Sequence, residues 1–281
     1  MGLKIEKVSK SFSDKVVVDD ISFELEKPGV FGLLGTNGAG KTTTIRMILG
    51  ILERDSGDIS WNGKKVTRRN VNFGYLPEER GIYPKTKVKE QLIYFAKLKG
   101  IKQKDAEESL KKWAGKFEIE EYLNMPAEKL SKGNQQKVQF LTAVMHNPDL
   151  IILDEPFSGL DPINTNTIKD ILQELINEGK HIIMSSHQMS SVEEFCNDIL
   201  IMNRSKTIIK GNLQEIKDKY EVKKIYLDTS ENRGYTVDIN SVNEGEDILK
   251  SLLEKNIIVN EFKLIKPSLH DIFVEKVGGV K

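Results

Sequence analysis

Residues 35–43 read Gly35-Thr36-Asn37-Gly38-Ala39-Gly40-Lys41-Thr42-Thr43 and fit the phosphate-binding loop pattern G-x-x-x-x-G-K-[ST]. The apolar run 29–34 before this loop predicts a buried parallel strand. After the loop, Ile45, Ile48 and Leu49 share one face of a predicted helix. This order suits phosphate binding, because glycines let backbone N–H groups converge on phosphate oxygens and a helix N-terminus adds partial positive charge. A glycine-rich turn that matches by chance is the alternative.

The loop pattern assigns a role to each part of the stretch. We expect the backbone of all nine residues to surround the phosphates of a nucleotide such as ATP. The Lys41 ammonium can reach the β- and γ-phosphates, and the Thr42 hydroxyl can bind Mg²⁺. The loop therefore predicts a nucleotide with β- and γ-phosphates, together with Mg²⁺, as the bound species.

Composition limits the class of protein. The chain has 281 residues with 42 basic and 42 acidic side chains, so no overall field favours a nucleic-acid partner. A single cysteine, Cys196, excludes an intramolecular disulfide framework and is typical of a reducing cytosol. No apolar run approaches the ~18 residues of a membrane span, and the first residues lack the apolar core of a secretory signal. We expect a cytoplasmic chain whose contact with a membrane comes through a partner.

Periodicity predicts alternating strands and helices. Short strands are expected at 4–8, 15–18, 21–25, 57–61 and 71–75, the last two around an Asn62-Gly63 hairpin turn. Helical patterns cover 86–117 and 135–146, and buried strands cover 150–153 and 181–187. Such alternation favours a parallel sheet wrapped by helices, which binds ligands beyond the carboxyl ends of its strands. After residue 216 the pattern changes to short strands around a helix, which predicts a small, separate α/β domain.

Two carboxylates follow the buried strand 150–153. Asp154 at the strand end is suited to hold Mg²⁺, and Glu155 can accept a hydrogen bond from water behind the γ-phosphate. The alternative is a solvated strand end, which the presence of the phosphate loop makes less favourable.

A second motif precedes the helix at 135–146. It reads Leu130-Ser131-Lys132-Gly133-Asn134-Gln135-Gln136 and resembles the Leu-Ser-Gly-Gly-Gln signature of the ATP-binding cassette (ABC) ATPases, from which Lys132 and Asn134 depart. The resemblance implies that Ser131 and Gly133 face the γ-phosphate held by a second subunit, so that two chains sandwich two ATP molecules. An ordinary helix cap at Ser131 is the alternative.

Other positions match the family pattern in order. Ser158-Gly159-Leu160-Asp161 resembles the loop that communicates across the dimer, and His187 resembles the histidine that contacts the γ-phosphate and positions Glu155. Phe12 stands where the family often stacks an aromatic ring on adenine; a buried phenylalanine at a strand end is the alternative. Glu78 replaces the usual glutamine and is interpreted as a residue of the metal site.

The resemblance implies an α/β fold of the P-loop NTPase class. This ABC cassette has a parallel-sheet core, an antiparallel β subdomain and an inserted helical subdomain. The cassette is expected at 1–216 with the helical part at about 81–146, followed by the small α/β domain at 217–281. Its implied partners are an integral membrane permease, on which the helical segment docks, and a second ATPase subunit, identical or paralogous.

The implied function is ATP hydrolysis that drives a membrane exporter of the ABC-2 type. The chain would then lie on the inner face of the cell membrane. Two alternatives stay open at this point: a soluble regulatory or translation-associated ABC ATPase, and the ATPase of an importer. Single-cassette architecture and balanced charge disfavour the first of these alternatives.

Overall fold

A computed structural model describes residues 2–67, 70–79 and 81–278 of the chain. The chain forms two compact units, Met1–Lys210 and Gly211–Lys281. The predicted domain boundary at residue 216 lies six residues after Lys210, the last residue of the first unit.

The first unit contains a six-stranded sheet. The four strand pairings described for this sheet are all parallel. Its strands are β3 (Gly29–Gly35), β6 (Phe73–Leu76), β7 (Leu150–Asp154), β8 (His181–Ser186), β9 (Cys196–Asn203) and β10 (Lys206–Asn212), in the order β10-β9-β3-β8-β7-β6. The strands β3 and β7 are buried along their whole length, as expected for a sheet covered on both faces. One strand, β8, lies between β3 and β7, and it is parallel to both. The residues that follow β3 and β7 therefore lie at the same edge of the sheet.

An antiparallel sheet accompanies the central one in the first unit. Its strands are β1 (Leu3–Phe12), β2 (Lys15–Leu25), β4 (Ser56–Trp61) and β5 (Lys64–Lys65), in the order β2-β1-β4-β5. The two strands expected at 15–18 and 21–25 form a single strand. This strand is irregular at Asp20, which adopts a left-handed conformation (φ 50°) where the register with β1 shifts.

The expected Asn62-Gly63 turn is present, but its predicted partner strand was wrong. Asn62 and Gly63 both have positive φ, 51° and 74°, and such a two-residue turn returns the chain at once. Trp61 therefore pairs with Lys64, and the segment expected at 71–75 instead contributes β6 to the central sheet beside β7.

Helices pack around these sheets. They are α1 (Lys41–Ile48), α2 (Val88–Leu98), α3 (Gln103–Lys116), α4 (Lys132–Val144), α5 (Pro162–Asn177) and α6 (Met189–Phe195). The helical pattern at 86–117 is two helices, because the N–H of Gly100 bonds back to the Lys97 carbonyl (2.9 Å) and ends α2. Trp113 and Phe117 are buried, with Phe117 against Phe140 of α4, so this aromatic pair belongs to the core. No helix in the described part of the chain is long and apolar enough to cross a membrane.

The second unit carries a three-stranded antiparallel sheet. Its elements are α7 (Leu213–Asp218), β11 (Lys224–Thr229), β12 (Tyr235–Asp238), α8 (Val242–Glu254), β13 (Val259–Ile265) and α9 (Leu269–Gly278), with strand order β12-β11-β13. Ile225, Leu227 and Ile239 form its buried core. This unit combines strands with helices, as predicted for a small α/β domain after residue 216.

His146 gives the first unit a predictable dependence on pH. Its Nε2–H donates to the Phe73 carbonyl (2.9 Å), and burial lowers the pKa of His146 to about 4. The unfolded chain, with an ordinary histidine pKa near ~6.5, binds more protons between these values, so stability falls as the pH falls through that window. We expect wild type to lose about 2 kcal/mol more free energy of unfolding between pH 7 and pH 5 than His146→Gln.

Denaturant titration followed by tryptophan fluorescence measures this difference, since both tryptophans, Trp61 and Trp113, lie in the first unit. The control is His270→Gln, at an exposed position in the second unit. This variant is expected to lose as much free energy of unfolding between pH 7 and pH 5 as wild type does. Equal pH dependence in wild type and His146→Gln would contradict the account.

Candidate functional site

The glycine-rich stretch 35–43 connects β3 to α1, as the sequence predicts. Gly40 precedes the helix with a φ of 107°, and a Cβ there would lie 2.4 Å from the Val17 carbonyl oxygen. Only glycine fits so close to the strand backbone. The loop is tightened by the Ala39 N–H, which donates to the Thr36 carbonyl (3.1 Å). The helix α1 therefore begins directly at the end of the loop, with its N-terminus next to the loop backbone.

The side chain of Lys41 is held inside this loop. It is only 7% exposed, and its ammonium donates to the carbonyl oxygens of Gly35 (2.8 Å) and Thr36 (3.3 Å). These bonds fix a positive charge where the loop backbone converges. An anion in the loop would therefore meet the N–H groups and the ammonium together.

Asp154 lies buried at the end of β7, within reach of the first helical turn of α1. Thr42 Oγ1 donates to Asp154 Oδ2 (3.2 Å), and the hydroxyl of Ser185 on β8 donates to Asp154 Oδ1. A hydroxyl and a carboxylate that converge in this way fit Mg²⁺, which uses one or two protein carboxylates together with water and phosphate oxygens. Residues 2–67, 70–79 and 81–278 contain no cluster of three or more His, Cys, Asp or Glu that could hold a metal ion.

Glu155 is buried and paired with His187. The distance from Glu155 Oε1 to His187 Nδ1 is 2.8 Å, and the Ser186 hydroxyl lies 3.5 Å from Glu155 Oε2. Glu155 itself has a φ of 53°, which is uncommon for a non-glycine residue, and its N–H donates to the Ser185 carbonyl (3.2 Å). Backbone strain of this kind is often found at functional sites.

A cavity of about 200 Å³ brings most of these groups together. The residues that line it come from the loop, the two strand ends and their neighbours: Val17, Asn37, Gly38, Ala39, Gly40, Lys41, Thr42, Thr43, Glu78, Asp154 and Glu155. Glu78, which the family pattern suggested for the metal site, therefore faces the same space as Thr42 and Asp154. His187 joins the site through Glu155.

Five of the expected nucleotide contacts lie outside the lining of this cavity: Phe12, Gly35, Thr36, Ser131 and Gly133. Phe12 ends β1 and is 48% exposed, so the alternative of a buried phenylalanine is wrong. Ser131 caps α4, where its hydroxyl accepts from the Asn134 N–H (3.2 Å), and Gly133 lies buried in the first turn of this helix. Ser131 is therefore a helix cap, as both interpretations require, and the partial positive charge of the helix N-terminus still favours an anion.

Sequence reasoning missed three residues of the site. Val17 lines the cavity from β2, Ser185 bonds Asp154, and Tyr75 lies close enough to Asp154 for its charge to matter. Burial, and then the Asp154 carboxylate, raise the pKa of Tyr75 to about 12, so its hydroxyl stays protonated. The one available signal was the position of Ser185 in the strand expected at 181–187, beside the strand that carries Asp154.

Comparison with known proteins places this geometry in a family. Residues 18–158 match the model of the ABC transporter family, and residues 202–277 match the C-terminal domain of DrrA1-3-like ATP-binding proteins. The ABC transporter ATP-binding protein YhaQ of Bacillus subtilis (strain 168) is 44% identical over 99% of both chains. The lipopolysaccharide export system ATP-binding protein LptB of Haemophilus influenzae is 32% identical over 80% of this chain and 96% of its own.

A solved structure agrees with these relatives. The ATP-binding subunit of an ABC transporter superposes with a TM-score of 0.72 at 31% identity, covering 78% of this chain and 93% of that one. The parallel core, antiparallel sheet and helical insertion are therefore those of the ABC cassette. With the phosphate loop, Asp154 and Glu155 gathered around one cavity, the chain belongs to the family of ABC transporter ATP-binding proteins.

Proposed function

We propose that this chain hydrolyses ATP and powers a membrane exporter through ATP-driven dimerisation. The observation that supports hydrolysis is the single cavity in which the phosphate loop meets Glu78, Asp154 and Glu155, with Glu155 paired to His187. Asp154 alone would serve to hold Mg²⁺ beside a bound nucleotide, so the second buried carboxylate, Glu155, supports hydrolysis.

Each group has a proposed role in the reaction. The loop N–H groups and Lys41 bind the β- and γ-phosphates, as the bonds of Lys41 within the loop allow. Thr42, Asp154 and Glu78 would hold Mg²⁺, which neutralises phosphate charge when it is bound. Glu155 accepts a hydrogen bond from the attacking water and orients it toward the γ-phosphorus, while His187 fixes the Glu155 carboxylate at 2.8 Å.

The second half of each site comes from the partner in this proposal. Ser131 and Gly133 lie at the N-terminus of α4, whose partial positive charge attracts an anion. They do not line the cavity of their own chain, which supports a role in trans. Two chains arranged head to tail would then close two sites at once.

The helical subdomain offers a surface for the permease. Tyr83 and Tyr94 are about half exposed and Leu98 is 65% exposed, and the ring of Tyr83 stacks on Phe95 at 5.8 Å. We assign this apolar surface to the cytoplasmic side of an integral membrane subunit, which would hold the chain on the inner face of the membrane. Export is favoured over import because LptB, an export-system protein by its name, is similar over most of this chain.

Affinity purification of the tagged chain from its own membranes in mild detergent, with mass spectrometry, tests the transporter assignment. The expected result is a stoichiometric protein with several membrane spans, which is lost on Leu98→Asp with Tyr94→Ser but kept on the control Ile51→Ser, an exposed position outside the helical subdomain. Recovery of ribosomal or nucleic-acid partners would favour a soluble ABC ATPase instead. Co-purification of an extracellular solute-capturing protein would favour an importer.

Phe12 is expected to contribute to affinity rather than to the chemical step. Because an exposed ring can stack on adenine with about 1 kcal/mol, Phe12→Ala should raise the KM for ATP about fivefold with little change in kcat. Val16, exposed on the paired strand, provides the matched control Val16→Ala. Steady-state phosphate release measures both constants, and an unchanged KM would remove Phe12 from the nucleotide site.

A further inference from the structure

Polar contacts join α4, which follows the signature, to α5 and to the loop between β7 and α5. The first contact is Gln136 Nε2, which donates to the Pro156 carbonyl (3.4 Å). The second uses Glu118, whose Oε2 accepts from Lys137 Nζ on α4 (3.5 Å) and from Thr167 Oγ1 on α5 (3.4 Å). Lys137 is almost wholly buried, so this pairing is shielded from solvent on one side.

A third contact lies closest to the signature itself. The side-chain amide of Asn164, in the first turn of α5, packs directly on Gly133: a Cβ built at Gly133 would lie 2.3 Å from Asn164 Nδ2. The same Nδ2 donates to Asp161 Oδ2 (2.5 Å), while the Asn164 N–H donates to Asp161 Oδ1 (2.9 Å). One side chain therefore touches the signature turn and the N-cap of α5 together.

The charge on Asp161 strengthens this arrangement. The hydrogen bond from the Asn164 N–H, and then that from the Asn164 amide, hold the pKa of Asp161 below its ordinary value. Asp161 is thus ionised at neutral pH and accepts both bonds. Since a neighbouring carboxylate fixes the amide, Asn164 has little freedom to leave Gly133.

We propose that Asn164 is a positioning residue that fixes the signature turn, residues 131–133, to the Asp161 loop of the same chain. The inference rests on the proposed ATP-driven dimer, in which both segments face the partner. Loss of the Asn164 amide would let the two segments move independently, and the trans half of the site would form less often. ATP binding by the phosphate loop of the separate chain would be unaffected, because Asn164 does not line that cavity.

The proposal also gives Gly133 a role within its own chain. The close approach of Asn164 leaves no room for a Cβ, so Gly133→Ala must displace the amide from its place on Asp161. Gly133→Ala and Asn164→Ala would then break the same contact, and their effects on dimerisation should not add.

The experiment uses the 281-residue chain carrying Glu155→Gln, which is expected to accumulate the ATP-bound dimer. Light scattering over a range of ATP concentrations gives the half-saturating concentration for dimer formation. Addition of Asn164→Ala should raise this concentration at least fivefold. The control Asn166→Ala, at an exposed position two residues along the same helix, should leave it within twofold.

Two further readouts separate positioning from a general loss of structure. Asn164→Ala should bind a fluorescent ATP analogue as the parent does under conditions where both are monomeric, and should keep its thermal midpoint. The double variant Gly133→Ala with Asn164→Ala should be less impaired than the two single effects combined. These results together would support the proposal.

Other outcomes overturn it in distinguishable ways. An Asn164→Ala variant that dimerises like Asn166→Ala, or additive effects of Gly133→Ala and Asn164→Ala, would overturn this inference alone. Failure of the parental Glu155→Gln chain to dimerise at any ATP concentration would overturn the proposed dimer, and this inference with it.

Discussion

Glu155→Gln is expected to hydrolyse ATP at least tenfold more slowly than wild type while it still binds ATP. The substitution keeps the size of the side chain, but the amide is a poorer acceptor for the proton of the attacking water, and its charge no longer attracts His187 at 2.8 Å. A tenfold loss corresponds to an increase of about 1.4 kcal/mol in the barrier. Phosphate release under saturating ATP measures the rate, and fluorescence titration measures the affinity.

The control for this variant is Glu53→Gln, an exposed carboxylate with the same change of charge. It should hydrolyse ATP at the wild-type rate. If Glu155→Gln retained near-normal hydrolysis, Glu155 would have no catalytic role, and the buried pair with His187 would be a structural feature of the strand ends.

Lys41→Ala is expected to weaken ATP binding at least tenfold. Its ammonium is buried in the loop, where it donates to two carbonyl oxygens, and it fixes a positive charge where the loop backbone converges. A charge-assisted hydrogen bond contributes about 1.5–3 kcal/mol, and each ~1.4 kcal/mol is a factor of ten in affinity. Equilibrium titration with a fluorescent ATP analogue gives the dissociation constant.

Lys64→Ala removes an equivalent charge from the exposed strand β5 and should bind ATP like wild type. Tryptophan fluorescence confirms that both variants are folded. Unchanged affinity in Lys41→Ala would show that the loop does not bind phosphates through this side chain, and would remove the main support for a nucleotide site here.

Local sequence pattern predicted the parts of the fold that depend on neighbouring residues. The strand before the phosphate loop and the strand that ends at Asp154 are continuous apolar runs, and both are fully buried strands of a parallel sheet. Parallel strands bring their carboxyl ends to one edge, so Lys41 and Asp154 could be expected to lie close together. The cavity that contains both confirms this arrangement.

The errors arose where a turn or a distant strand decides the structure. The pattern around Asn62-Gly63 predicts a hairpin, but only the turn geometry shows that its second strand is Lys64–Lys65. Likewise, Ser185 contacts Asp154 because the two residues are paired in the register of β7 and β8. Single-sequence periodicity contains no information on that register.

The Asn164–Gly133 contact shows the same limit at the signature. Sequence resemblance identified Gly133, yet the amide that packs on it comes from a helix that begins 29 residues later, at Pro162. No local pattern predicts which face of α5 meets α4. Only the packing of α4 against α5 brings the Asn164 amide to Gly133.

The most direct test of the central claim is the mass of the Glu155→Gln chain by light scattering, with ATP and Mg²⁺ or with ADP and Mg²⁺. The account predicts a particle of twice the 31.9 kDa chain with ATP and a single chain with ADP, because the γ-phosphate is needed to join Ser131 and Gly133 to the partner's site. A single chain at saturating ATP, or a dimer of equal amount with both nucleotides, would contradict ATP-driven dimerisation.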